Sequence, residues 1–155
     1  MQSKDLSAVL NMAIDKEIEA HAFYLDLHGR VSDPEAKQTL QFLADEEKKH
    51  HDFLAKYKEG AVGPQSLKSS QVIDYKIADH LEQPDISGKM DSIDIYLVAA
   101  HRELNSFNFY KGLAEMHPQG NVREMLLKMA NEEMKHKEKV EYLYSNTAFT
   151  QTAGG

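Results

Sequence analysis

Two stretches of this chain align without a gap at an offset of 86 residues. Asp5, Ala13, Glu17, Phe23, Tyr24 and Leu27 match Asp91, Ala99, Glu103, Phe109, Tyr110 and Leu113. Leu40, Ala44, Glu46, Glu47, Lys49 and His50 match Leu126, Ala130, Glu132, Glu133, Lys135 and His136. A repeat of this kind marks a duplicated helical hairpin. Any two amphipathic helices share Leu and Ala positions. They do not share Glu, Phe-Tyr and Glu-x-x-His at one offset.

The duplicated unit restricts the chain to an all-α fold. Its few breakers, 8 Gly and 4 Pro, cluster at a small number of places. Asp33-Pro34 has the form of an N-cap followed by proline at the first helical position. Asn121 with Glu124 has the form of a capping box. The segments between breaks predict helices near 4–30, 34–59, 91–116 and 121–145. Loops 31–33 and 117–120 are short, as antiparallel neighbours require. The 60–90 segment is long enough to cross over and let the third main helix run parallel to the second. Within it, Ser70 to Gln83 predicts a short helix with Ile73, Ile77 and Leu81 on one face. The expected organisation is one domain over 1–145, made of hairpins 4–59 and 91–145 with the crossover 60–90, followed by a flexible tail at 146–155.

The inward-facing stripes carry the chemistry. One reads Leu40, Leu43, Glu47, His50, Leu54, Tyr57, and its repeat reads Leu126, Met129, Glu133, His136, Val140, Leu143. The other two read Leu6, Leu10, Ala13, Glu17, Ala20, Tyr24, Leu27 and Tyr96, Ala99, Glu103, Ser106, Tyr110, Leu113. Their alternating spacing of three and four is that of a bundle seam. Each main helix therefore places a glutamate in the middle of an apolar or small stripe, and two add a histidine one turn on. Burying an unpaired carboxylate costs several kcal/mol, and four together repel one another. Two divalent cations cancel four carboxylate charges and leave His50 and His136 as neutral ligands. One Glu from each of two helices and Glu-x-x-His from each of the other two is the donor set of dinuclear carboxylate proteins. A metal-free bundle with an acidic stripe toward solvent leaves the seam pattern unexplained.

Composition narrows the rest. With no cysteine among 155 residues there is no disulfide, thiolate metal site, iron–sulfur cluster or thiol catalysis. The formal charge of −7 argues against nucleic acid as a partner. No apolar run approaches the roughly 18 residues of a membrane span, and the N-terminus does not open a signal peptide. A soluble, cytoplasmic protein that engages no membrane is expected.

The motifs Ala13-x-x-x-Glu17-x5-Phe23-Tyr24, Leu43-Ala44-x-x-Glu47-x-x-His50, Glu103-x5-Phe109-Tyr110 and Ala130-x-x-Glu133-x-x-His136 resemble the rubrerythrin branch of the ferritin-like di-iron proteins. The resemblance covers about 1–59 and 90–145. It implies a ferritin-like four-helix bundle with a long crossover between helices 2 and 3. It implies Glu17 and Glu103 as terminal ligands, Glu47 and Glu133 as bridges, and His50 and His136 as caps of one iron each. Rubrerythrins carry a rubredoxin module with four iron-binding cysteines, which is missing here. Their additional ligand Glu one turn before the third-helix ligand is Ala100 in this chain. The ligand set is also similar to that of bacterioferritin, whose haem-binding methionine position is Lys48 here, so no haem is expected. Met134 in the other half reads as a core or surface methionine.

Tyr24 and Tyr110 lie two turns after Glu17 and Glu103 and are candidate catalytic positions, placed to bond ligand carboxylates or to donate an electron. A core aromatic with a polar tip fits the same spacing. Glu46 and Glu132, rotated about 100° from the bridging positions, are expected at the surface, with assistance to metal entry as the alternative. His21, His28, His80, His101 and His117 lack repeat partners and read as surface or loop residues. His51 is rejected as a ligand because its repeat position is Lys137. The donor set suits two iron ions, then manganese, with zinc binding adventitiously. The expected function is an oxidoreductase that reduces peroxide or dioxygen with electrons from an external donor protein. Ferroxidation feeding an iron store and a non-catalytic metal-binding bundle are the alternatives. A homodimer is expected from the resemblance.

Overall fold

The computed structural model of the protein describes residues 2–154, with side chains described over 6–149. Four long helices dominate: α1 Gln2–His28, α2 Pro34–Lys58, α4 Ser92–Glu115 and α5 Asn121–Gly154, with the single turn α3 Ile77–His80 inside the crossover. The structure is an all-α, ferritin-like bundle built from two hairpins, α1–α2 and α4–α5.

Local chemistry sets the helix ends. The Asp33 carboxylate accepts from the Ala36 N–H at 3.0 Å, with Pro34 in the first turn. Asp91 caps α4 in the same way, accepting from the Asp94 N–H at 2.9 Å. Helix α2 ends where Gly60 adopts φ +79°, and the Gly60 and Ala61 N–H groups return to Tyr57 O at 3.0 Å and Lys56 O at 2.9 Å. That is the Schellman arrangement, which favours glycine at the left-handed position.

Three expectations are corrected here. The Glu124 N–H bonds Gly120 O at 3.0 Å while Asn121 is already helical, so Gly120 and not Asn121 holds the cap position of α5. Helix α5 continues through 146–154, the stretch expected as a tail, and Gly155 lies outside the described residues. The crossover helix shrinks to Ile77–His80, with Ala78 buried and Ile73 and Leu81 exposed. Crossover residues pack on the bundle through Leu67, Ala78, Ile86 and Met90, and not through Ile73 and Leu81 of the expected apolar face.

The relative directions of the helices follow from side-chain contacts. Tyr24 of α1 bonds Glu103 of α4, and Tyr110 of α4 bonds Glu17 of α1. These crossed pairs require α1 and α4 to be antiparallel. Each hairpin is antiparallel by its short loop, so α2 and α4 run parallel, as the long crossover permits. Two apolar cores sit above and below the carboxylate layer. One holds Leu27, Leu40, Leu43, Ile95, Val98 and Val140, and the other holds Leu10, Leu54, Met125, Leu126 and Met129. Each such side chain contributes about 1.5–3 kcal/mol by leaving water. That burial offsets the cost of the charged layer between them.

The crossover is fastened to α5 by a buried lysine. Lys137 Nζ lies 2.6 Å from Asp74, 2.9 Å from Asp79 and 2.9 Å from Glu141, and Glu141 also accepts from the Ala78 N–H at 2.8 Å. Lys137 and Glu141 are both fully buried. Lys137→Met should cost about 2–3 kcal/mol, since Glu141 is left uncompensated while the half-exposed aspartates can turn to water. Urea unfolding of the metal-free protein measures this, and adding Glu141→Gln should recover most of the loss.

Candidate metal centre

Helices α1, α2, α4 and α5 each deliver one glutamate to a common layer because Glu17, Glu47, Glu103 and Glu133 occupy the inward seam positions. All four are at most 1% exposed. His50 and His136, one turn after the bridging-type glutamates, are each 4% exposed. All six residues expected from the sequence as ligands are brought together.

Their donor atoms form two overlapping groups, Glu17, Glu47, His50, Glu133 and Glu47, Glu103, Glu133, His136. Glu47 and Glu133 belong to both. Within each group the donor atoms lie within 4.8 Å of one another. His50 Nδ1 is 3.6 Å from Glu17 Oε1, 3.5 Å from Glu47 Oε1 and 3.4 Å from Glu133 Oε1. His136 Nδ1 is 3.5 Å from each of Glu47, Glu103 and Glu133 Oε1. These separations exceed hydrogen-bond length. They match ligand atoms that share an ion about 2.0–2.2 Å from each. The two imidazoles stack with ring centroids 5.7 Å apart.

The unsatisfied atoms agree. Glu17 Oε1, Glu47 Oε1, Glu103 Oε1, both Glu133 oxygens, His50 Nδ1 and His136 Nδ1 are buried without a hydrogen-bond partner. Native structures rarely leave one such group unexplained. Here seven converge on one place, and the donor set fits two divalent cations.

The outer oxygens of Glu103 and Glu17 are satisfied. Tyr24 donates to Glu103 Oε2 at 2.5 Å, and Tyr110 donates to Glu17 Oε2. The tyrosines therefore cross between the hairpins and orient the two terminal carboxylates. Burial raises both phenols well above their ordinary value, and the neighbouring Glu103 and Glu17 carboxylates add to this. Both hydroxyls stay protonated and serve as donors. Tyr110→Phe should leave two metals bound and lower stability by about 1–2 kcal/mol through the lost bond. Metal analysis and urea unfolding check the two parts separately.

Glu46 and Glu132 correct the expectation of plain surface residues. Glu46 Oε1 lies 3.5 Å from His136 Nε2, and Glu132 Oε1 lies 3.6 Å from His50 Nε2. Each carboxylate thus reaches across from α2 to α5, or the reverse, to the far nitrogen of the opposite histidine. The histidine holds Glu46 and Glu132 down to about 2, with help from Lys49 and Lys135. A carboxylate behind a ligating imidazole fixes its tautomer and orientation. The available signal was the repeat itself, in which both glutamates and both lysines recur.

Charge repulsion in the metal-free layer shows in its titration. Burial, then Glu133, Glu103 and Glu17, push Glu47 well above the usual carboxylate range. Burial, then Glu103 and Glu17, push Glu133 to about 7. Burial opposes charge on His50, but Glu132, Glu17 and Glu133 outweigh it and raise His50; Glu103, Glu133 and Glu46 do the same for His136. Without metal, protons must neutralise part of the layer.

Among the described residues no helix is long and apolar enough to cross a membrane. Comparison with known proteins gives a consistent placement. No curated protein sequence matches the chain. A solved structure of a hypothetical protein from Pyrococcus furiosus is similar at 26% identity, covering 88% of this chain and 86% of that one with a TM-score of 0.61. The rubrerythrin family model matches residues 1–58, which contain Glu17, Glu47 and His50. Residues 1–58, the first hairpin of this ferritin-like helical protein, are thus similar to the rubrerythrin family, and these 155 residues contain no cysteine to build a rubredoxin module.

Proposed function

We propose that the protein is a di-iron oxidoreductase that reduces peroxide or dioxygen with electrons from a separate donor protein. The observation that carries this reading is the convergence of seven unpartnered buried ligand atoms, shared between two donor groups through Glu47 and Glu133. Oxygen and imidazole donors in this number suit iron, with manganese next. Iron held there supplies two electrons to the bound oxidant. The chain's own residues do the rest. Glu47 and Glu133 hold the two positions together, and Glu46 and Glu132 keep the histidine Nδ1 atoms turned inward. Tyr24 and Tyr110 keep protons beside the terminal carboxylates, at the edge of the buried layer. The external donor is part of the proposal because these 155 residues hold no cysteine to build a thiolate-ligated electron relay.

The experiment is anaerobic loading with two ferrous ions per chain, then stopped-flow mixing with hydrogen peroxide. Oxidation faster than that of free ferrous ion is expected. No oxidation, or a rate equal to that of the free ion, would sink the proposal. We also propose a homodimer, for which Tyr142 and Phe149, 51% and 71% exposed on α5, offer apolar surface. Light scattering decides this: a dimer mass fits, and a large cage would favour iron storage.

A further inference from the structure

The two halves of the centre are related by the repeat, but their surroundings are not. On the α1–α2 face a cavity of about 140 Å³ is lined by Glu17, Ile18, His21, Lys48 and His51. Of the six ligand residues only Glu17 lines it, and Glu17 Oε1 is among the unpartnered buried atoms. The space is enough for a small ligand with a few waters. His21 Nδ1 donates to Ala44 O at 2.8 Å, and His51 Nδ1 lies 3.1 Å from Asp52 Oδ1. The bond to Ala44 O ties the His21 wall to α2.

The repeat equivalents of Ile18, His21, Lys48 and His51 are Leu104, Phe107, Met134 and Lys137. Leu104 and Phe107 pack against the apolar cores, and Met134 is buried. Lys137 is fully buried under Asp74 and Asp79 of the crossover. Ser70 exchanges two bonds with Asn131 at 3.1 and 3.0 Å, holding the crossover over this face. The second half is closed where the first is open.

Building on the dinuclear reading, we propose that the α1–α2 cavity is the port to the centre. It would admit a small anionic ligand of the hydroperoxide class to the Glu17–His50 half. Lys48 is the cationic group in its wall, so the port attracts anions. The α2–α5 face instead presents Glu46 and Glu132 paired with Lys49 and Lys135 at 3.0 and 2.9 Å, and offers no unpaired cation of that kind. The two metal positions are then inequivalent toward exogenous ligands despite matched donor sets.

The test copies the closed half into the open one, as His21→Phe with Lys48→Met. Iron-loaded protein is titrated with azide, followed by its charge-transfer absorption, after metal analysis of each protein. Two metals per chain in the wild type establish the centre independently of the port, and fewer overturns both ideas. With two metals in each protein, azide association should be about tenfold slower in the double variant. A rate within twofold of wild type overturns the port. Should the double variant fail to hold two metals, Lys48→Met alone decides, because Lys48 is exposed. It should weaken azide about threefold and flatten the salt dependence of binding. Unchanged affinity and salt dependence overturn the proposal.

Discussion

Glu133→Ala is expected to reduce bound metal from two ions per chain to at most one, and Glu47→Ala should do the same. Glu133 is fully buried, and neither of its oxygens has a hydrogen-bond partner. It belongs to both donor groups, so no other carboxylate can replace it at either position. The same residue is a burden in the metal-free state. A carboxyl lifted to about 7 by burial and by Glu103 and Glu17 loses roughly 3 kcal/mol when ionised in the fold rather than in the unfolded chain. Glu133→Gln keeps the volume and removes the charge. It should therefore raise metal-free stability at pH 8 by about 1–2 kcal/mol, after the cost of an unpaired amide. A structural glutamate would give the opposite sign. Urea unfolding with chelator present and metal analysis of the same preparations measure both halves. Two metals retained in both alanine variants would show that the ligand assignment is wrong.

Metal should also reverse the dependence of stability on pH. In the metal-free protein Glu47 and Glu133 hold protons that the unfolded chain releases above about 4.5, the ordinary glutamate value. Their contribution is intact below that value and is lost as pH rises toward about 7 for Glu133. Raised His50 and His136 act in the same direction, stabilising below 6.5, the ordinary histidine value, and failing as pH climbs through their raised values. Glu46 and Glu132 oppose this on the acid side. Their contribution is present above about 4.5 and is lost as pH falls toward about 2. Metal-free stability should therefore peak in mildly acidic solution and fall toward pH 8. Metal binds the deprotonated ligands, so loaded protein should gain stability over that same interval. With free metal at a thousand times its dissociation constant, each ion adds about 4 kcal/mol. Thermal unfolding at pH 5.5 and 7.5, with chelator and with metal, should give slopes of opposite sign. Equal slopes would mean that the buried layer is not what the metal titrates.

The architecture was legible because one periodic pattern stated both fold and site. Glu17, Glu47, Glu103 and Glu133 could be placed inward from their own helices alone, since each sits in a stripe of apolar neighbours. The gapless repeat then fixed which stripes were equivalent. What the pattern could not convey was how one helix faces another. Glu46 and Glu132 lie off the seam of their own helices, so single-helix geometry sends them to solvent. The antiparallel approach of α2 and α5 turns that off-seam direction toward the opposite histidine. Lys137 was passed over for the same reason. Its partners Asp74 and Asp79 lie some 60 positions earlier in a segment whose apolar spacing suggested a longer helix than forms. The extension of α5 to Gly154 runs against composition, for small polar residues permit either state.

The proposed centre holds two cations that share Glu47 and Glu133. The most direct measurement is an anaerobic titration with ferrous ion, followed by oxidation and magnetic susceptibility of the loaded protein. A break at two equivalents per chain, with antiferromagnetic coupling between the two ions after oxidation, is the predicted result. A break at one equivalent, or two ions with no magnetic coupling, would contradict it.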